Sequence, residues 1–355
     1  MEHVLYLIDS LGMGGAETIV VNTLNHLSTK YPSVKFSLFT TADERGPLAK
    51  KITANIIYKH VNCTGINFFI GVLKVRAYIK ENKVTHIHTH LYHSMMVGRL
   101  AANSKINLIE TFHNLEYHPA SVYYSKWRVE LDKITYIKKS ISIYVSNQVK
   151  GSLENFRPSN HSNIVLNNFA GCEFKYNYRL KVEPSLKIIA IGNLKTDKNF
   201  KLALEVLSQL DNIDISLDIY GEGFLRPELD KRIKSDNLKV RLMGSVIIEP
   251  NIFLNYDAFI MTSLNEGMPI SLLEAINFGM PCILPKHLAV MKQVAQNAGL
   301  YFSVNDVSSL KDILLKLFNN KALLEFMSLE TKKQATLFTI EEHIRSIVDI
   351  YKLDV

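Results

Sequence analysis

The sequence has only three cysteines, Cys63, Cys172 and Cys282, and they lie far apart. That excludes a disulfide framework and the paired-cysteine zinc motifs, and it suits free thiols in a reducing compartment. Long apolar runs are also missing. Spanning a bilayer takes roughly 18 or more residues, and the nearest candidate, GINFFIGVL at 65–73, is far too short. The first ten residues, MEHVLYLIDS, carry an acid at position 2 and lack the basic region and cleavage site of a secretory signal. A cytoplasmic protein is expected, at most peripheral on the inner face of the membrane. Repeats and low-complexity segments are absent.

What is present is an ordinary globular composition with an uneven charge. The 355 residues suit two domains better than one. Residues 1–170 hold 19 Lys and Arg against 11 Asp and Glu, whereas 171–355 hold 22 against 23. The whole net charge of +7 therefore belongs to the first half. A basic half meets nucleic acid, anionic membrane or phosphorylated ligands, unless the charge is only a dispersed solvated surface.

Short apolar, β-branched runs alternate with helix-type segments: 3–9, 35–40, 55–60, 84–90, 106–113 and 141–146 read as strands. Helices are expected near 15–29, 68–82, 93–103 and, as a long one, 123–139. Residues 167–185 break the rhythm and read as a linker. Alternation then resumes, with strands at 186–194, 215–223, 238–246, 256–263 and 281–285 and helices at 198–210, 269–279 and in the tail from 307. Thr339 and Glu342 form a capping box before the last helix. This pattern predicts two doubly wound parallel α/β domains with a cleft between them, and ligands at the carboxyl ends of the strands. The boundaries are 1–168 and 169–339, with a helix at about 340–355 packing back on the first domain.

After the first strand comes GMGGAE, residues 12–17. A dinucleotide fingerprint would need a third glycine where Glu17 stands, and no ribose-binding acid closes the second strand (Asp43 is late). Two readings remain open. Gly14 and Gly15 permit a tight strand-to-helix turn, or they let a phosphate or sugar approach the helix start.

A stronger signal is SLNEGMPISLLEAINFGMPCILP at 263–285. Glu266 lies in the loop after a strand, and Gly267, Met268 and Pro269 lead into a helix with Pro269 in its first turn. The amides of 267, 268, Ile270 and 271, with the helix dipole, suit an anion. Glu274, within that helix, suits the vicinal diol of a ribose.

This E-x7-E arrangement resembles the retaining glycosyltransferases of family 4, which have the GT-B fold. Nearly the whole chain takes part: GMGGAE (12–17), HIHTH (86–90), ETFHN (110–114), IYVSNQVK (143–150), IGNLKTDKNF (191–200), IYGEG (219–223), MGSV (243–246) and SLNEG (263–267) follow in family order. The resemblance implies a nucleotide-sugar donor, UDP rather than GDP, on the second domain and an acceptor on the first. It implies catalytic roles for Glu266, His113 and Lys198. The donor would be held by Gly14, Gly15, Asn193, Lys195, Lys198, Val246, Glu266, Gly267, Met268, Pro269, Ile270 and Glu274. Lys198 would neutralise the diphosphate, Glu274 bind the ribose, Val246 the base, and His113, at a strand end facing the cleft, lie close to the reacting sugar. Asn193 stands where the family usually has arginine, which leaves Lys195 as the nearest replacement cation.

No metal or other cofactor is expected. There is no D-x-D pair, and His86, His88 and His90 share one strand face, a poor geometry for a tetrahedral ion. His93 and His118 are expected on surface or loop. Segment 114–140 mixes Tyr117, Tyr123, Tyr124 and Trp127 with Lys126, Arg128, Lys133, Lys138 and Lys139. That suits an anionic membrane bearing a polyprenyl-diphosphate-linked or other glycan acceptor, or else an amphipathic helix with its aromatics in the core. The alternatives of another class are a sugar-nucleotide 2-epimerase of the same fold and a non-catalytic nucleic-acid binder. No nucleic-acid module is recognisable, so nucleic acid is not an expected partner.

Overall fold

The computed structural model describes residues 2–43, 46–115, 124–154, 162–171, 176, 185–247 and 249–353. The chain forms two compact units, residues 1–169 with 340–355, and residues 170–339.

The first unit holds β1 (His3–Ile8), α1 (Gly15–Lys30), β2 (Lys35–Thr40), β3 (Ile57–His60), α2 (Phe68–Glu81), β4 (His86–His90) and α3 (Tyr92–Ala101). There follow β5 (Asn107–Phe112), α4 (Lys126–Thr135), β6 (Ile141–Tyr144), α5 (Asn147–Glu154) and β7 (Asn163–Val165). The strand order is β3-β2-β1-β4-β5-β6-β7, all parallel. All six β1 residues are buried because both faces of the sheet are covered. Val4, Tyr6 and Ile8 join a core with Val20 and Leu24 of α1, while Leu5 and Leu7 join another with Val72, Val75 and Val97 of α2 and α3.

The second unit holds β8 (Leu186–Ile191), α6 (Phe200–Ser208), β9 (Ile215–Tyr220), α7 (Arg226–Ser235), β10 (Val240–Gly244), β11 (Ala258–Ile260) and α8 (Ile270–Phe278). There follow β12 (Cys282–Pro285), α9 (Ala289–Ala295), β13 (Gly299–Phe302), α10 (Val307–Asn319) and α11 (Lys321–Ala335). Its parallel order is β10-β9-β8-β11-β12-β13. Both sheets thus reverse direction beside their first strand, between β1 and β4 and between β8 and β11. That reversal opens a crevice at the carboxyl ends, where doubly wound sheets bind ligands.

The last helix, α12 (Ile340–Tyr351), belongs to the first unit. It buries Ile344, Ile347 and Tyr351 in the core shared with Val20 and Leu24.

A buried ion triad ties α3, β5 and α4 together. Arg99 Nε donates to Glu110 Oε1 at 2.6 Å and Nη1 reaches Asp132 Oδ1 at 2.7 Å, with all three side chains at 1% exposure or less. Arg99 Nη1 also donates to Thr135 Oγ1 at 2.9 Å.

Several elements depart from the sequence reading. Strands β7 and β13 are additional; at 3 and 4 residues they carry little periodicity. Helix α4 stops at Thr135, whose hydroxyl turns back to Leu131 O at 2.7 Å, and Tyr136 is extended at φ −59, ψ 132. His93 lies on helix α3, half-buried, with its ring 5.7 Å from that of Phe68, rather than on a surface or loop. In the expected linker, Tyr176 packs on the second unit: its hydroxyl meets Ser328 Oγ at 3.0 Å and Lys332 Nζ sits 4.0 Å from its ring centre. Cys63 and Cys282 are buried free thiols, and burial raises the pKa of each. Tyr117, His118, Tyr123 and Cys172 lie outside the described residues.

Candidate active site

The second unit gathers most of the expected residues at its switch point. Asn193 and Lys195 stand on the turn after β8. This turn is held from beneath by backbone bonds: Gly192 N to Tyr220 O and Leu194 N to Glu222 O, each 2.9 Å, and Gly221 N to Gly244 O at 2.8 Å. Gly221 has φ +147, and a side chain there would run into the carbonyl of Gly192, so the turns after β8, β9 and β10 stack only as glycine. Val246 follows the third of these turns, exposed.

Lys198 ends a single 3-10 turn, Thr196–Lys198, and Asn199 in the left-handed conformation separates that turn from α6. The lysine is therefore not a helix-start residue. Its stem crosses Gly192, and its Nζ lies 2.5 Å from Glu266 Oε1. Ser263 Oγ donates to the same oxygen at 2.7 Å. Two further bonds join the loops: Thr262 Oγ1 donates to Lys198 O and Leu264 N to Asp197 O, both at 2.7 Å. Residues 68 apart in sequence become one preformed cation–carboxylate site. Ser263 and Thr262 are additions; no spacing in the sequence marks them.

Glu266 opens the loop to α8. Pro269 precedes this helix as its N-cap, at φ −74, ψ 123, so the helix starts at Ile270, one residue later than expected. An N-cap proline has no N–H to leave unpaired, and no side chain caps α8. Its first-turn amides and dipole are a ready anion site directly after Glu266, Gly267 and Met268. Glu274 is buried on the same helix.

In the first unit, Gly14 is the N-cap of α1 at φ −92, ψ 164, an extended conformation open to any residue. The turn alone does not demand glycine. A side chain at Gly14 would instead collide with the carboxylate of Glu17, which folds back beside the helix start and accepts from Ser10 Oγ at 3.5 Å. The space beside Gly14 is thus filled by the Glu17 carboxylate, and Gly15 begins the helix.

His113 follows β5 but is buried, not open at a strand end. Its Nε2 lies 2.9 Å from His90 Nδ1. Burial lowers its pKa to about 3, so it is neutral near pH 7. The neighbouring histidines hold α12. His86 Nε2 meets Tyr351 O at 3.0 Å, His88 Nδ1 meets the Tyr351 hydroxyl at 2.5 Å, and His88 Nε2 meets Thr111 Oγ1 at 2.7 Å. Tyr351 donates onward to the Tyr6 hydroxyl at 2.5 Å, and Tyr6 stacks on His90. His343 of α12 bonds Asn167 O at 3.0 Å, and burial lowers its pKa to about 4.

Burial also lowers the pKa values of His86, His88 and His90. Folded imidazoles that resist protonation stabilise fully above the unfolded value of about 6.5. Below it the unfolded chain binds more protons, so stability falls as pH drops from about 6.5 toward about 4 for His343 and about 3 for His113, by roughly 1 kcal/mol per pH unit for each of these two, and His86, His88 and His90 act in the same direction. Only His287 belongs to the second unit. Unfolding followed from pH 7 to pH 5 should therefore show the first unit's transition moving down while the second unit's holds. Equal movement of both would refute the histidine account.

Comparison with known proteins agrees with this architecture. The family model described as Glycosyltransferase Family 4 matches residues 13–168, and that described as Glycosyl transferases group 1 matches residues 176–334. A UDP-Gal:alpha-D-GlcNAc-diphosphoundecaprenol alpha-1,3-galactosyltransferase of Escherichia coli is 26% identical over 361 residues, covering 90% of each chain. The Escherichia coli O-antigen biosynthesis glycosyltransferase WclY is 22% identical over 335 residues, covering 88% of this chain and 87% of its own. The crystal structure of Anabaena HepE in complex with UDP-glucose superposes with a TM-score of 0.84 at 15% identity, covering 99% of this chain and all of the other. Two doubly wound units with these matches define a glycosyltransferase of the GT-B fold. Together the two models span most of the chain, and the chain belongs to the family 4 glycosyltransferases.

Proposed function

We propose that the enzyme transfers a sugar from a nucleoside-diphosphate sugar, UDP in preference to GDP, to a glycan or polyprenyl-diphosphate-linked acceptor. It would do so in surface polysaccharide synthesis, with retention and without a metal. The observation that carries this reading is the Lys198–Glu266 pair, 2.5 Å apart, directly before the uncapped start of α8. The relatives support the substrate classes. The Escherichia coli galactosyltransferase is named for a UDP-sugar and a diphosphoundecaprenol-linked acceptor, and HepE was crystallised with UDP and with UDP-glucose.

In this reading Lys198, the N–H groups of Gly267, Met268, Ile270 and Ser271 and the α8 dipole take the charge of the departing diphosphate. That removes the need for a cation bridge. Glu266 receives hydroxyls of the transferred sugar, Glu274 the ribose diol, and the backbone at Val246 the base. Asn193 and Lys195 line the approach to the diphosphate. His113, neutral, offers a hydrogen bond rather than a charge. Retention follows from front-face displacement. The bond from the anomeric carbon to the diphosphate oxygen breaks, the acceptor oxygen bonds to the same face, and its proton passes to the departing diphosphate. A lipid-linked acceptor places the enzyme on the cytoplasmic face of an anionic membrane.

Thermal unfolding with UDP, GDP, ADP, CMP and NAD tests the donor site. A ligand at about 100 times its Kd adds roughly 2.7 kcal/mol to the state that binds it. UDP should raise the second unit's transition, and Glu274→Ala should abolish the rise. A response to NAD alone, or to none, would overturn the donor assignment.

A further inference from the structure

Among the described residues, every exposed large hydrophobic of the first unit lies on α2, α3, α4 or the single turn entering α2. Ile66 is 95% exposed and Phe69 72%, with Ile70 and Leu73 beside them. These four recur at helical spacing and form one stripe. The helix does not need this stripe for its core, because Val72, Val75, Tyr78 and Ile79 already bury its other face. On α4, Trp127 is 62% exposed and Ile134 80%, with Leu131 between them. Helix α3 adds Leu100.

The three helices form one layer. Arg76 Nη2 of α2 donates to Leu100 O of α3 at 2.7 Å, and the Tyr92 hydroxyl of α3 donates to Arg128 O of α4 at 3.0 Å. The Arg99 triad pins α4 from below, so its apolar exposure is presented on a fixed platform. Around the stripe of α2 stand exposed Lys74, Arg76, Lys80 and Lys83 against the single acid Glu81. Around α4 stand exposed Lys126 and Lys133, the latter paired with the exposed Glu130 at 2.8 Å, with Lys138 and Lys139 just beyond the helix.

We propose that this layer is the surface on which the enzyme docks to anionic lipid, with the edge formed by Ile66, Phe69, Ile70 and Leu73 inserted below the headgroups. An apolar stripe bordered by lysine and arginine matches an anionic interface on both counts. A second copy of the chain fits it less well, since a two-fold contact would set each basic border against its like. The inference deepens the membrane location proposed above and rests on it, not on the donor assignment.

The chain has a single tryptophan, Trp127, and it stands on this face. Its emission should shift to the blue on adding phosphatidylcholine vesicles that contain phosphatidylglycerol. The shift should grow with the anionic fraction and weaken with salt. The double variant Phe69→Gln/Ile70→Gln should lower vesicle affinity about tenfold or more while leaving the response to UDP intact. Two results would overturn the docking face: no shift of Trp127 on any of these vesicles, or wild-type binding by the double variant. Concentration-dependent dimerisation that produces the same shift without lipid would assign the face to a second copy. If UDP gives no response while the vesicle results hold, the donor reading fails and the docking face stands.

Discussion

Lys198→Ala should lower the rate of UDP release from the sugar nucleotide by about 10²–10³-fold, the usual cost of losing one preorganised group at a developing charge. Glu266→Ala should lose a comparable amount. Both variants should remain folded, because the loops are joined independently of these two side chains. The Thr262 hydroxyl still donates to the main-chain carbonyl of residue 198, and Leu264 N still donates to Asp197 O. In the same assay the unmodified enzyme should keep its rate in EDTA. Near-normal turnover in either alanine variant would remove that residue from the mechanism. Loss of rate in EDTA would hand the diphosphate charge to a metal.

The largest effect on stability is expected at Arg99. It is the cation between two carboxylates, Glu110 and Asp132, and none of the three is more than 1% exposed. Arg99→Ala leaves two buried anions facing each other, at a cost of about 3–5 kcal/mol. The first unit's urea transition should fall accordingly. Replacing all three residues by apolar ones of similar volume should recover most of the loss, since a buried ion pair is worth little against good packing. A loss below roughly 1 kcal/mol in the single variant would mean that water reaches the triad.

Much of this molecule is legible in its sequence. Runs such as HVLYLI and the glycine turns after β1 and β8 mark strands and switch points, because short β-branched runs ending in glycine have few other uses. The string from Glu266 to Glu274 places a loop, a helix start and two acids within nine residues, so local chemistry is enough to read it. What escapes is what depends on distant partners. His113 looks like an open strand end until His90, 23 residues earlier, takes its Nε2. The Lys198–Glu266 pair spans 68 residues. Pro269 reads equally well one position into the helix or at its cap, because proline lacks the N–H that either position leaves unused. In α2 the apolar residues on two faces merge into one hydrophobic run, and only side-chain exposure separates the stripe that packs from the one that does not.

The place of α12 has a consequence for how the protein is made. The first 169 residues leave the ribosome without the helix that completes their core; it is encoded at 340–355. At typical elongation rates of about 5–20 residues per second, the second unit is synthesised entire while the first waits roughly 10–40 seconds. During that interval Val20 and Leu24, which α12 later covers, and the imidazoles of His86 and His88 have no partner from the end of the chain. Tyr351 reaches Tyr6 across 345 residues, so a nascent chain halted anywhere before the last helix carries an unfinished first unit. Emergence of that last helix is the event that closes it.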